Sequence, residues 1–122
     1  MRKKKKFFCG ILALAMMAAP NFVMAATNSG VYAGCNYTVS ATAYNNYGSG
    51  YGRYADTSKS LALTVTYSYK DRYGKFRSKV ANSSGTTYVS ASTPRVGDVD
   101  VSSKKTVSSL YIAGTTFTAT AN

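Results

Sequence analysis

Between Leu61 and Lys70 the chain alternates without a break. Leu61, Leu63, Val65, Tyr67 and Tyr69 fall on one side of an extended strand, and Thr64, Thr66, Ser68 and Lys70 on the other. Successive side chains of a strand point to opposite faces, so this pattern calls for a sheet with one buried face and is incompatible with a helix. Cys35 to Tyr44 repeats it, with Tyr37, Val39, Ala41 and Ala43 on a common face. From Ala26 onward, Ser and Thr supply 29 of 97 residues, and all 11 Tyr lie there. Branched and aromatic side chains suit a pleated surface, and strong helix formers are scarce.

Turn chemistry suggests how the strands connect. Asp71-Arg72-Tyr73-Gly74 has Asp first and Gly last, the preference of a type I turn. Closing it as a hairpin pairs Tyr69 with Phe76 and Val65 with Val80, all inward. Asn82-Ser83-Ser84-Gly85 has the same form; it would pair Phe76 with Ala91 and Ser78 with Val89 on a third strand, Thr86 to Ser92. The two turns together predict a three-stranded meander. Thr93-Pro94 stops that strand, and Val96 to Val101 forms a further short piece. Lys105 to Ile112 and Thr115 to Thr120 make a final hairpin around Ala113-Gly114, with Leu110 opposite Phe117 and with Val107 and Tyr111 outward. The expected fold is all-β: a small antiparallel β-sandwich of six or seven short strands, a meander plus a C-terminal hairpin.

The first 25 residues read as an address. Met1 to Lys6 carries five positive charges, Phe7 to Ala19 is apolar, Pro20-Asn21 breaks the run, and Val23 and Ala25 occupy the −3 and −1 positions of a cleavage site. Thirteen apolar residues are too few to span a bilayer, which needs about 20. The division is therefore a secretory signal peptide, 1–25, and one domain, 26–122, in a bacterial style of export. Removing the leader lowers the formal charge from +11 to +6 and leaves Cys35 as the only thiol. Tyr32-Ala33-Gly34-Cys35 has the outline of a lipoprotein acylation site. A Tyr stands where that motif has an aliphatic residue, so a buried thiol near the first strand is the simpler reading.

The composition excludes much chemistry. The chain has no His, no Trp and no Glu, so it has neither a His base, a His-ligated metal nor a Glu acid. Cys35 has no His to activate it. Asp98 and Asp100 share a strand face, but an i, i+2 pair does not flank a sugar bond and reads as a solvated face. The expectation is a non-enzymatic protein with no metal and no cofactor.

Two features carry the binding hypothesis. Tyr44 to Tyr54 (Y-N-N-Y-G-S-G-Y-G-R-Y) reads as a flexible loop, rich in the residues of adaptable recognition surfaces, with Tyr44, Tyr47, Tyr51, Arg53 and Tyr54 as contact groups. Lys75, Arg77 and Lys79 alternate with Phe76, Ser78 and Val80 and so project from the outer face of one strand, with Lys70 across from Lys75, Tyr88 opposite Lys79, and Arg72 and Tyr73 at the turn. Such a face attracts anionic material. The reading is a secreted binding protein, loosely envelope-associated, for an anionic cell-envelope polymer, glycan or membrane surface, with room for a protein partner. Export and the lack of a recognition motif argue against nucleic acid. The alternatives are a secreted bacteriocin-type antimicrobial protein and a secreted enzyme inhibitor.

Overall fold

The computed structural model describes residues 24–97 and 99–122. Eight strands form two four-stranded antiparallel sheets. They are β1 (Met24–Tyr32), β2 (Cys35–Ala43), β3 (Gly48–Tyr54), β4 (Ser60–Asp71), β5 (Phe76–Thr86), β6 (Tyr88–Ser92), β7 (Val99–Ile112) and β8 (Thr115–Ala121). One sheet has the order β1-β2-β3-β6 and the other β5-β4-β7-β8. The layers stack with β1 over β8 and β6 over β5, a β-sandwich whose core lies between β2 and β3 on one side and β4 and β7 on the other.

The alternating stretches behave as their pattern demands. Val39, Ala41 and Ala43 of β2 are buried, as are Leu61, Leu63, Val65, Tyr67 and Tyr69 of β4. The last hairpin has the expected register, Leu110 opposite Phe117. Its turn takes left-handed angles at Ala113 (φ 47°) and Gly114 (φ 92°). Two-residue turns of this hand match the twist of the strands they join. Ala33 (φ 51°) and Gly34 (φ 83°) do the same between β1 and β2, where Tyr32 pairs with Cys35. The Ala-Gly that resembles an acylation motif is thus a hairpin turn, and Cys35 is a half-buried free thiol against the core.

The structure has eight strands: β1 and β3 are additional to the expected set, and the expected Val96–Val101 piece and the strand from Lys105 to Ile112 are one strand, β7. β3 replaces the expected Tyr-rich loop. Gly48, Gly50 and Gly52 alternate with Ser49, Tyr51 and Arg53, so the strand turns bare backbone inward. Against it stand Thr106, Ser108 and Leu110 of β7: a Cβ on Gly48 would lie 2.5 Å from Thr106 Oγ1, and one on Gly52 2.5 Å from Leu110 Cδ1. Glycine lets the sheets approach where β7 supplies the side chains.

The meander is also corrected. β6 leaves β5 and crosses to the other sheet, where it pairs with β3: Val89 faces Gly52 and Ala91 faces Gly50. The crossing occurs at Thr87, whose φ of 69° bends the chain out of the ladder and whose carbonyl accepts from Tyr54 N at 3.0 Å. Tyr88 therefore lies opposite Arg53, not Lys79.

The β4–β5 register differs by one residue from the expected one. Asp71 N donates to Lys75 O at 3.0 Å, and the loop closes through Gly74 at φ 78°. A type I turn followed by a left-handed glycine takes one residue more than the tight turn read from sequence. Tyr69 pairs with Arg77, Lys70 with Phe76 and Thr66 with Val80. A one-residue slip turns every side chain over, so Phe76 and Val80 are outward and exposed.

The segment expected to be a leader, 1–25, lies outside the described residues except for Met24 and Ala25, which begin β1 opposite Ala43 and Thr42.

Candidate functional site

β4 and β7 run in register from Leu61 opposite Ile112 to Ser68 opposite Lys105. The ladder then breaks and resumes with Lys70 opposite Asp100, so residues 101–104 stand opposite Tyr69 alone. A bulge of this kind redirects side chains and opens a ladder. The extra residues are held in a compact turn. Asp100 Oδ1 accepts from Ser102 N at 3.1 Å and from Ser102 Oγ at 2.7 Å. Ser103 Oγ donates to Asp100 O at 2.7 Å and accepts from Lys70 N at 2.9 Å. The bonds from Ser102, with Lys70 beside it, hold the Asp100 carboxyl below its usual range.

Beside this turn lies an open groove of about 370 Å³, lined by Ser68, Phe76, Ser102, Ser103, Lys105 and Asn122 among others. Phe76 is 74% exposed, and Lys70 Nζ sits 5.0 Å from its ring centroid. The groove thus offers an aromatic face, hydroxyl groups and Lys105, with Lys70 beside the ring, a set suited to a ligand with both rings and negative charge.

The surroundings are strongly basic. Eight of the ten Lys and Arg after residue 25 (Lys70, Arg72, Lys75, Arg77, Lys79, Arg95, Lys104 and Lys105) belong to the β4–β5 hairpin, the loop after β6 and the first half of β7. These segments meet at the end of the sandwich that carries the β2–β3 turn, where Arg95 lies 4.6 Å from the Tyr47 ring centroid and Val96 N donates to Asn46 O. Lys104 points inward, is only 5% exposed, and reaches Asn45 Oδ1 at 3.4 Å; burial lowers its pKa. Among the described residues, the acids at this end are Asp71 and Asp100. Asp71 accepts from Arg77 Nε at 2.7 Å and, through its other oxygen, from Tyr73 N and Lys75 N.

The expected cationic face is rearranged. Lys75, Arg77 and Lys79 keep their common side by alternation, but it is the side of Tyr67 and Tyr69, not the outer face. They stay exposed there. Lys70 lies on the opposite side, with Phe76. Arg77 is spent in part on Asp71. Arg72 stacks on Tyr73 at the turn, 5.2 Å from its centroid.

The tyrosines of the presumed loop divide three ways. Tyr54 is a core residue whose hydroxyl donates to Tyr32 O at 2.6 Å. Tyr44 and Tyr47 stack on each other at 4.5 Å in the turn at the basic end. Tyr51 and Arg53 lie on the outer face of the β1-β2-β3-β6 sheet, where Tyr51 stacks on Tyr88 with centroids 5.9 Å apart. That group sits apart from the groove.

Sequence reasoning missed Lys105, Ser102, Ser103 and Arg95. One signal was present: Val99 and Val101 are odd-numbered apolar positions, whereas Leu110 and Ile112 are even, and a strand changes phase only through a bulge. Comparison of the chain with protein-family models, curated proteins and solved structures finds no match in any of the three.

Proposed function

We propose that this chain is a secreted, non-enzymatic binding protein whose basic end takes an anionic polymer or glycan of the cell envelope. The observation that carries the reading is the groove at the β4–β7 bulge, where exposed Phe76, the turn at Ser102–Ser103 and Lys105 line one opening and Lys70 Nζ stands 5.0 Å from the ring, within the end of the sandwich that holds most of the charge. A sugar or lipid-linked repeat would lie on the ring, its phosphate or carboxylate would meet the lysines, and the hydroxyls of Ser68, Ser102 and Ser103 would serve its polar edge. Arg72, Lys75, Lys79 and Arg95 would raise the local concentration of the polymer by their field. The lack of His and Glu supports binding over catalysis.

The test is titration of the secreted protein with purified poly(glycerol phosphate) and with an acidic polysaccharide, at low and high salt. Binding to either, weakened by salt, is expected. The double variant Lys70→Glu/Lys105→Glu should raise the dissociation constant by about tenfold or more, while Lys59→Glu at the opposite end should leave it unchanged. Equal binding by the double variant would overturn the reading.

A further inference from the structure

Among the described residues the sandwich has four open strand edges, and they are not alike. An edge strand presents unpaired N–H and C=O groups to any other strand, and proteins guard against this with charge, proline or shortness. On one side the edges are guarded. β5 carries Arg77 and Lys79, and β6 has five residues followed closely by Pro94. On the other side they are bare: β1 (Met24–Tyr32) and β8 (Thr115–Ala121), which lie over each other, contain no charged residue and no proline.

We infer that β1 is the contact edge for a second copy of this chain, pairing antiparallel across a twofold axis to make one continuous eight-stranded sheet. Three observations select this occupant. First, the basic end and the β5 edge carry most of the charge, so two copies of a protein with formal charge +6 without its leader can approach closely only along a neutral side. Second, Ala26–Tyr32, the part of β1 that survives the expected cleavage, is self-complementary. With Ser29 on the axis, Ala26 faces the second copy's Tyr32 and Asn28 its Gly30, inward residues against inward residues and small against large. Thr27 and Val31 pair on the outer face, where Val31 is 66% exposed. Third, β1 is the better offered of the two bare edges, because Asn28 Nδ2 already donates to Thr118 O at 3.0 Å and so occupies part of β8. The inference does not rest on the proposed anion site, whose lining includes no residue of β1.

The experiment is sedimentation-velocity analysis of the secreted protein over a concentration series reaching about 1 mM. A concentration-dependent dimer is expected. Ser29→Lys places like charges opposite one another at the axis and should raise the dimer dissociation constant by about tenfold or more, whereas Ser29→Thr and Thr118→Lys should leave it unchanged. Near-ultraviolet circular dichroism of the tyrosines confirms that each variant is folded. A monomer at every concentration, a dimer indifferent to Ser29→Lys, or a dimer lost only in Thr118→Lys would each overturn the inference.

Discussion

Arg77 Nε donates to Asp71 Oδ2 at 2.7 Å across the β4–β5 turn, while Asp71 Oδ1 accepts from the backbone N–H of Tyr73 and Lys75. One carboxylate therefore fixes the turn that sets the register of β5 and engages one cation of the basic end. The Arg77 hydrogen bond, followed by the bond from Lys75 N, holds the Asp71 carboxyl below its usual range. A carboxyl with a lowered folded-state pKa contributes stability that is fully present above its unfolded pKa, about 3.9, and is lost as pH falls through the lower folded value. Thermal melts should show Asp71→Asn less stable than the native chain at neutral pH, with the gap closing as pH falls below about 4. A gap independent of pH would mean that the turn does not rely on the charge.

The same substitution separates stability from binding. Asp71→Asn releases Arg77 and removes a negative charge from the basic end, so it should tighten binding of an anionic polymer while weakening the fold. A titration in which affinity falls along with melting temperature would show that the hairpin's conformation matters more than its field.

The glycines of β3 make a graded prediction. A Cβ on Gly50 would collide with Ser108 Oγ and lie 2.7 Å from Ser40 O, a backbone atom that cannot move without shifting β2. On Gly52 the obstacle is the tip of Leu110, which can rotate. Overpacking a core costs about 1–3 kcal/mol. Gly50→Ala should lie at or above the top of that range and Gly52→Ala lower within it. Urea unfolding measures both, and Leu110→Val should recover part of the loss in Gly52→Ala but none in Gly50→Ala.

These glycines also show where the sequence stopped being legible. β2 and β4 could be read because each puts apolar side chains on one face and mostly polar ones on the other, and the β7–β8 hairpin because Ala113-Gly114 marks its turn. β3 follows the same alternation, but its inward member has no side chain, so the signal that marks a buried face vanishes and Tyr44 to Tyr54 reads as a loop. β5 fails for another reason. It is exposed along nearly its whole length, so no buried face pins its register, and the turn alone decides it. Gly74 in a left-handed conformation settles that register one residue away from the expected pairing. The candidate site inherits both effects: alternation rightly placed Lys75, Arg77 and Lys79 together, but their side of the sheet, and the pairing of Lys70 with Phe76, followed from the slip.

β7 brings hydroxyls into the interior. Thr106 and Ser108 are fully buried, and neither side-chain oxygen has a hydrogen-bond partner among the described residues. A buried unpaired hydroxyl costs about 1–3 kcal/mol, and its replacement by an apolar group of the same shape removes that cost. Thr106→Val should therefore raise the unfolding free energy by about 1 kcal/mol. A loss of stability in urea unfolding would show that the Thr106 hydroxyl is satisfied in solution.

Phe76 offers the most direct separation of fold from function. A ring 74% exposed on an edge strand contributes little to the core, and the Lys70 amine lies 5.0 Å from its centroid. If the ring is kept at the surface as a platform for a ligand, Phe76→Ala should weaken binding of the anionic probe by about tenfold, a loss of about 1.4 kcal/mol, and leave the melting temperature within about one degree. Phe76→Tyr should bind normally, since it keeps the face. Salt distinguishes the ring from the lysines around it: added salt should weaken the native protein and Phe76→Ala in parallel, because the ring carries no charge, whereas Lys70→Glu/Lys105→Glu should flatten the dependence. Unchanged affinity in Phe76→Ala would reduce the groove to a charged surface without shape recognition.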